Sequence, residues 1–184
     1  KYKLTIEKSN IFFNSGDDEI LFINKIDNIN LFYDEKNFQN ILSFKNEIFN
    51  IPFQLKIRNK SDEKKFSSSF NSKKIRLSID NELDYGNKIK NGLMNILLIN
   101  KDTKLNYQIT NNSLSFKSDS DDEKNNYSGY FEFKPFYFSS NFQYENIIIK
   151  NLFEDNSILI DLFKSEILKN KNLNINNNLK INKI

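Results

Sequence analysis

The sequence predicts an all-β chain, a mostly antiparallel sheet with one short helix near its C-terminal end. Three observations carry that expectation. Runs of alternating apolar and polar residues recur along most of the chain. Short clusters of Asn, Asp and Ser separate them at hairpin intervals. The crossover helices that parallel strands would need are mostly missing.

Taken in order, Tyr2, Leu4 and Ile6 open a strand-like pattern, and Ile29, Leu31 and Tyr33 form another. The stretch Asp34 to Leu42 (DEKNFQNIL) predicts a short helix, with Asp34 as its cap and Phe38, Ile41 and Leu42 on one face. Ile51, Phe53, Leu55 and Ile57 then alternate with Pro52, Gln54, Lys56 and Arg58. Phe66, Ser68 and Phe70 follow, and Ile75, Leu77 and Ile79 stand against Arg76, Ser78 and Asp80. Leu105, Tyr107 and Ile109 continue the alternation, as do Leu114 and Phe116. Each run gives a strand with one apolar and one wet face, the pattern of antiparallel sheet.

Turns are expected at 14–18, 59–62, 100–102 and 110–113. With only four glycines in the chain, Asn and Asp are expected to supply the left-handed turn positions. A helix is expected at about 157–168: Asn156 or Ser157 caps it, and Leu159, Leu162, Phe163 and Ile167 form its stripe. Lys164 and Lys169 suit its C-terminal end.

The segment Tyr127 to Phe138 (YSGYFEFKPFYF) places seven aromatic residues in twelve positions. Phe131 and Phe133 share one phase of the alternation; Phe136, Phe138, Phe142 and Tyr144 share the other. Pro135 lies at the shift. A proline removes a ladder donor, so a bulge there is expected to return both sets to one bent apolar face, with Gly129 easing the entry. Such a face either closes into a β-sandwich core, as in an adhesion or interaction module, or stays open as a trough for apolar ligands.

Composition narrows the function. The 184 residues suit one domain, 1–184, with no separate second one. Histidine and cysteine are both absent, which removes Ser-His and Cys-His catalysis, disulfides and the usual zinc ligands. Two-carboxylate glycan hydrolysis needs neither, but nothing places two acids together in a cleft, so an enzyme is not expected. No metal or other cofactor is expected either. The acidic run Asp119 to Glu123 fails as a calcium loop, because Lys124 stands where the sharp-turn Gly belongs and Tyr130 where the bidentate Glu belongs.

The net charge of +3 comes almost wholly from Lys, interspersed with acids, and only Arg58 and Arg76 are arginines. A nucleic-acid partner is therefore not expected. The longest apolar runs, such as Ile96 to Ile99, are too short to span a bilayer. The chain starts at Lys1 and enters a strand pattern at once, so we expect an internal or C-terminal segment of a longer chain.

The run from Gly129 through Pro135-Phe136 into Asn151-Leu152-Phe153, the helix, and Asn170-Lys171-Asn172-Leu173-Asn174 resembles the AsmA-like family, including its YhdP-type members. The block Asn46-Glu47-Ile48-Phe49-Asn50-Ile51-Pro52-Phe53 fits the same pattern. The resemblance implies an elongated, curved, repetitive antiparallel sheet forming an apolar groove. It further implies a periplasmic cell-envelope protein, held to the inner membrane by an anchor outside this segment, that moves phospholipid toward the outer membrane. Its partners would be phospholipid acyl chains and neighbouring β segments of the same longer chain. The groove-lining residues are then expected to be Phe131, Phe133, Phe136 and Phe138, with Phe53, Leu55, Ile57, Ile75, Leu77 and Ile79 from neighbouring strands.

Overall fold

The computed structural model describes residues 3–14, 20–98, 101–119, 125–146 and 174–183. Twelve strands form a single sheet in sequence order: β1 (Lys3–Asn14), β2 (Ile20–Asp34), β3 (Gln39–Ile48), β4 (Ile51–Lys60), β5 (Lys65–Ser72) and β6 (Leu77–Asp84), then β7 (Lys90–Leu98), β8 (Lys101–Ile109), β9 (Ser113–Ser118), β10 (Asn126–Glu132), β11 (Tyr137–Asn146) and β12 (Asn174–Lys183). Neighbours pair antiparallel throughout, except β11 and β12, which run parallel. β1 and β12 are the two edges, so the sheet is open. The expected all-β, mostly antiparallel architecture is therefore present. The helix expected at about 157–168 lies outside the described residues.

A meander of this kind follows from the local chemistry. From β2 to β7, at β8–β9 and at β10–β11, a short turn ends each strand and returns the chain beside the strand it left. The β3–β4 link shows the mechanism: Ile48 pairs with Ile51, and the two residues between them, Phe49 and Asn50, both have positive φ (51° and 58°). That is the left-handed two-residue hairpin whose twist matches the flanking strands. Three four-residue turns, 35–38, 61–64 and 73–76, each end on a left-handed residue: Phe38, Lys64 and Arg76. Among the described residues, the expectation that Asn and Asp would fill these positions holds at Asn50 alone.

Three other expectations are corrected by the fold. Asp34 to Leu42 is no helix: β2 ends at Asp34, a turn follows, and β3 starts at Gln39. Asp34 caps that turn instead. Its carboxylate accepts from the Lys36 amide at 3.2 Å, from Asn37 Nδ2 at 2.8 Å and from Gln39 Nε2 at 3.1 Å. The Asn37 and Gln39 bonds hold its pKa below the ordinary carboxylate range. A nine-residue amphipathic pattern was thus overridden by a side chain that stabilises a turn and by the partner strands on either side.

Pro135 marks a hairpin turn rather than a bulge. Residues 133–136 form the turn, the Lys134–Pro135 peptide is cis, and Phe131 pairs with Phe138 across it. The phase shift is simply the chain reversing, and it still leaves Phe131, Phe138, Phe142 and Tyr144 on one side of the sheet. Ile75, finally, falls in the turn 73–76 and outside β6.

Candidate functional site

Registers across the sheet sort the side chains onto two sides. One side is polar, and β4 contributes Gln54, Lys56, Arg58 and Lys60 while β6 contributes Ser78, Asp80, Glu82 and Asp84. The other side is apolar. One row of directly opposed residues there runs Ile6, Ile29, Phe44, Leu55, Phe70, Ile79, Ile96, from β1 to β7, before meeting Thr103 on β8. With strands about 4.8 Å apart, those seven side chains span roughly 29 Å. A second row joins Leu4, Leu31, Leu42 and Ile57. Beyond β7 the apolar surface continues through Ile109, Leu114, Phe131 and Phe138.

Charge is nearly absent from this side. Leaving aside Lys8 and Asp27, at the irregularity where β1 and β2 change phase against β3, the charged strand residues in this phase among those described are Lys90, at the start of β7, Lys101, at the start of β8, and Lys183, at the end of β12. The irregularity at Asp27 matters here, because it keeps Ile26 and Ile29 on the same side.

Little covers the surface. Few apolar residues are buried (Ile26, Ile41, Ile51 and Tyr107), and most of the apolar side is half-exposed. The substantial contacts all run between neighbouring strands, so no second sheet packs against this one among the described residues. Rings provide local cover for one another. Phe13 stacks on Phe22 at 4.2 Å, Phe53 on Phe70 at 5.4 Å, and Phe131 gathers Phe136 at 5.0 Å and Phe133 at 5.4 Å between ring centres.

Polar groups interrupt the apolar side at defined places. β5 presents Phe66, Ser68, Phe70 and Ser72 there, so on this strand the long row narrows to Phe70 between two serines. Ser72 is 1% exposed and donates to the Pro52 carbonyl at 2.7 Å. Beside Ser68, Asn81 accepts from the Tyr107 hydroxyl at 2.6 Å and donates to Ser68 Oγ at 3.4 Å. Tyr107 reaches Asn81 by lying across Gly92, which pairs with it on β7. Burial pushes the Tyr107 phenol up, against the opposing pull of its Asn81 bond. Phe116 lies across Gly129 in the same manner.

Asn46 is different. It is 5% exposed, opposite Ile26 and Phe53, and its Oδ1 has no hydrogen-bond partner. An unpaired buried acceptor costs about 1–3 kcal/mol. Asn46→Val should therefore stabilise the sheet by about 1–3 kcal/mol, whereas Asn81→Val, which breaks two bonds, should destabilise it. Urea unfolding of the two variants checks the contrast in sign.

Of the residues expected to line a groove, Phe53, Leu55, Ile57, Leu77, Ile79, Phe131 and Phe138 all lie on the apolar side. Phe133 and Phe136 belong to the β10–β11 turn, and Ile75 to the β5–β6 turn. Sequence reasoning missed Ile6, Ile29, Phe44, Phe70 and Ile96 as members of one row. It also missed the Tyr107–Gly92 pair, for which a lone glycine inside a strand pattern was the available signal. No cluster of three or more potential metal ligands occurs among the described residues.

The chain was compared with protein-family models, curated proteins and solved structures. None of the three comparisons gives a match.

Proposed function

We propose that this chain is a lipid-handling segment of an AsmA-like cell-envelope protein, whose apolar side forms a groove for phospholipid acyl chains on their way from inner to outer membrane. The single observation that carries the reading is the uncharged row from Ile6 to Ile96. A phospholipid tail needs an unbroken apolar path, since each methylene returned to water costs about 0.8 kcal/mol. One leaflet of a bilayer core is about 15 Å thick, so a row of roughly 29 Å is about twice the reach of one tail. The sequence blocks around Pro135 and at Asn46 to Phe53 support the same family. In that reading the chain has no catalytic residues, and the anchor lies elsewhere in a longer periplasmic protein.

A closed-sandwich adhesion module would place two sheets in contact over a filled core. Among the described residues there is one sheet, and its apolar side meets no second layer.

In-cell photo-crosslinking decides the matter. A photoreactive residue at position 70, on the apolar side, should capture phospholipid, and one at position 69, on the polar side, should not. Capture of protein neighbours alone from position 70 would overturn the proposal, as would equal lipid labelling from both positions.

A further inference from the structure

The β1 edge differs from an ordinary sheet edge. Native edges are blunted by charge, proline or bulges, because unpaired backbone amides and carbonyls otherwise recruit another strand. The first half of β1 follows that rule, with Lys3, Glu7 and Lys8 and the phase change at Lys8, where φ is 46°. The second half does not. Ser9 to Asn14 (SNIFFN) carries neither charge nor proline and is rich in strand-forming residues. Five of the exposed large apolar side chains, Leu4, Ile6, Ile11, Phe12 and Phe13, lie on this one strand, and they occupy both sides of the sheet. On the opposite edge, Leu179 is the exposed large apolar residue of β12 among those described.

We propose that this edge pairs with the β1 edge of a second copy, antiparallel, about a twofold axis through Phe12. The symmetry of the sequence selects the occupant. In Asn10-Ile11-Phe12-Phe13-Asn14, an antiparallel twofold at Phe12 sets Ile11 against Phe13 of the second copy, Phe12 against Phe12, and Asn10 against Asn14. Each apolar residue meets an apolar residue, each Asn meets an Asn, and no charges are opposed. Ile11 and Phe13 lie on the apolar side and Phe12 on the polar side, so a twofold perpendicular to the sheet joins like side to like side. Aromatic and β-branched cross-strand pairs are among the stabilising ones. The interface closes on itself, so the assembly stops at two copies. Backbone pairing at an edge needs nothing bound to the apolar side, so dimerisation and lipid capture are read by separate measurements.

A ladder this short buries little area, so the dimer is expected to be weak, with a dissociation constant on the order of micromolar. Sedimentation velocity over a concentration series should show a monomer–dimer equilibrium that plateaus at two copies. Phe12→Lys opposes two ammonium groups at the axis and should raise the dissociation constant roughly tenfold or more, with an unchanged circular-dichroism spectrum. The chain has no cysteine, so single-cysteine variants report proximity cleanly. Phe12→Cys should form a disulfide-linked dimer on mild oxidation, and Leu179→Cys should not. A monomer at every concentration overturns the proposal. So does growth past two copies, or cross-linking through position 179 in preference to position 12.

Discussion

Gly92→Ala is expected to destabilise the fold by about 2–4 kcal/mol, a large effect for one methyl group. A Cβ at position 92 would fall 2.0 Å from Tyr107 Cζ and 2.4 Å from its hydroxyl oxygen, so the ring must leave. Tyr107 is 6% exposed, and its displacement gives up the burial of an aromatic ring together with the bond to Asn81. The gain from replacing a strand glycine offsets less than half of that, at about 0.5–1 kcal/mol. An aromatic ring laid over a glycine on the neighbouring strand is a known way for a sheet to compensate the missing side chain. The urea midpoint measures the loss, and a double-mutant cycle isolates its cause. In a Tyr107→Ala background, Gly92→Ala should be neutral or mildly stabilising; an undiminished loss there would place the effect in the backbone.

The same pair has a pH signature. Burial raises the Tyr107 pKa, so the folded state favours the protonated phenol. That contribution is complete below the usual phenol value of about 10 and is lost as the pH climbs through the raised folded value. The stability difference between the wild-type chain and Gly92→Ala should accordingly shrink above about pH 10. An ultraviolet titration should show one tyrosine returning toward the ordinary range in the variant.

In the proposed lipid-handling role, Phe70→Glu is expected to slow lipid passage by on the order of 100-fold while leaving the sheet folded. The long apolar row crosses β5 at Phe70, with Ser68 and Ser72 on either side; the other apolar residue of that strand on this side, Phe66, is opposed by Asn59 on β4 and not by an apolar residue. A carboxylate keeps its water, and an acyl chain passing it would leave about four methylenes wet, roughly 3 kcal/mol. The side chain is only half-buried, so the charge can remain solvated without unfolding the strand. Vesicle-to-vesicle transfer of a fluorescent phospholipid, measured beside Ser69→Glu on the polar side, separates a local block from a general charge effect. Equal rates in the two variants would remove the row from the transport path.

Much of this fold was readable from the residues, because hairpin sheets are governed by local rules. Period-two alternation located most of the strand runs, and clusters of Asn, Asp and Ser located the described reversals at 61–64 and 110–112. Where local rules competed, the reading failed. Asp34 to Leu42 has both a cap and an apolar stripe, and only pairing with β2 and β4 decides for strand. Pro135 is compatible with a bulge or with a turn, and only the antiparallel register of Phe131 with Phe138 decides for the turn. Left-handed turn positions at Phe38, Phe49, Lys64 and Arg76 carry no residue-type signal at all. The paired strands on both sides of each turn set the backbone there.

What the sequence determined by itself is the chemistry of the surface. It holds enough alternating apolar residues to cover one side of a sheet, almost no charge in phase with them, and no histidine or cysteine. What only the tertiary structure decided is which of those residues stand beside one another. Ile6, Phe44, Phe70 and Ile96 are separated by many residues, and register alone aligns them into one row, because each hairpin adds its own offset and one residue more or less would send a strand's apolar set to the opposite side.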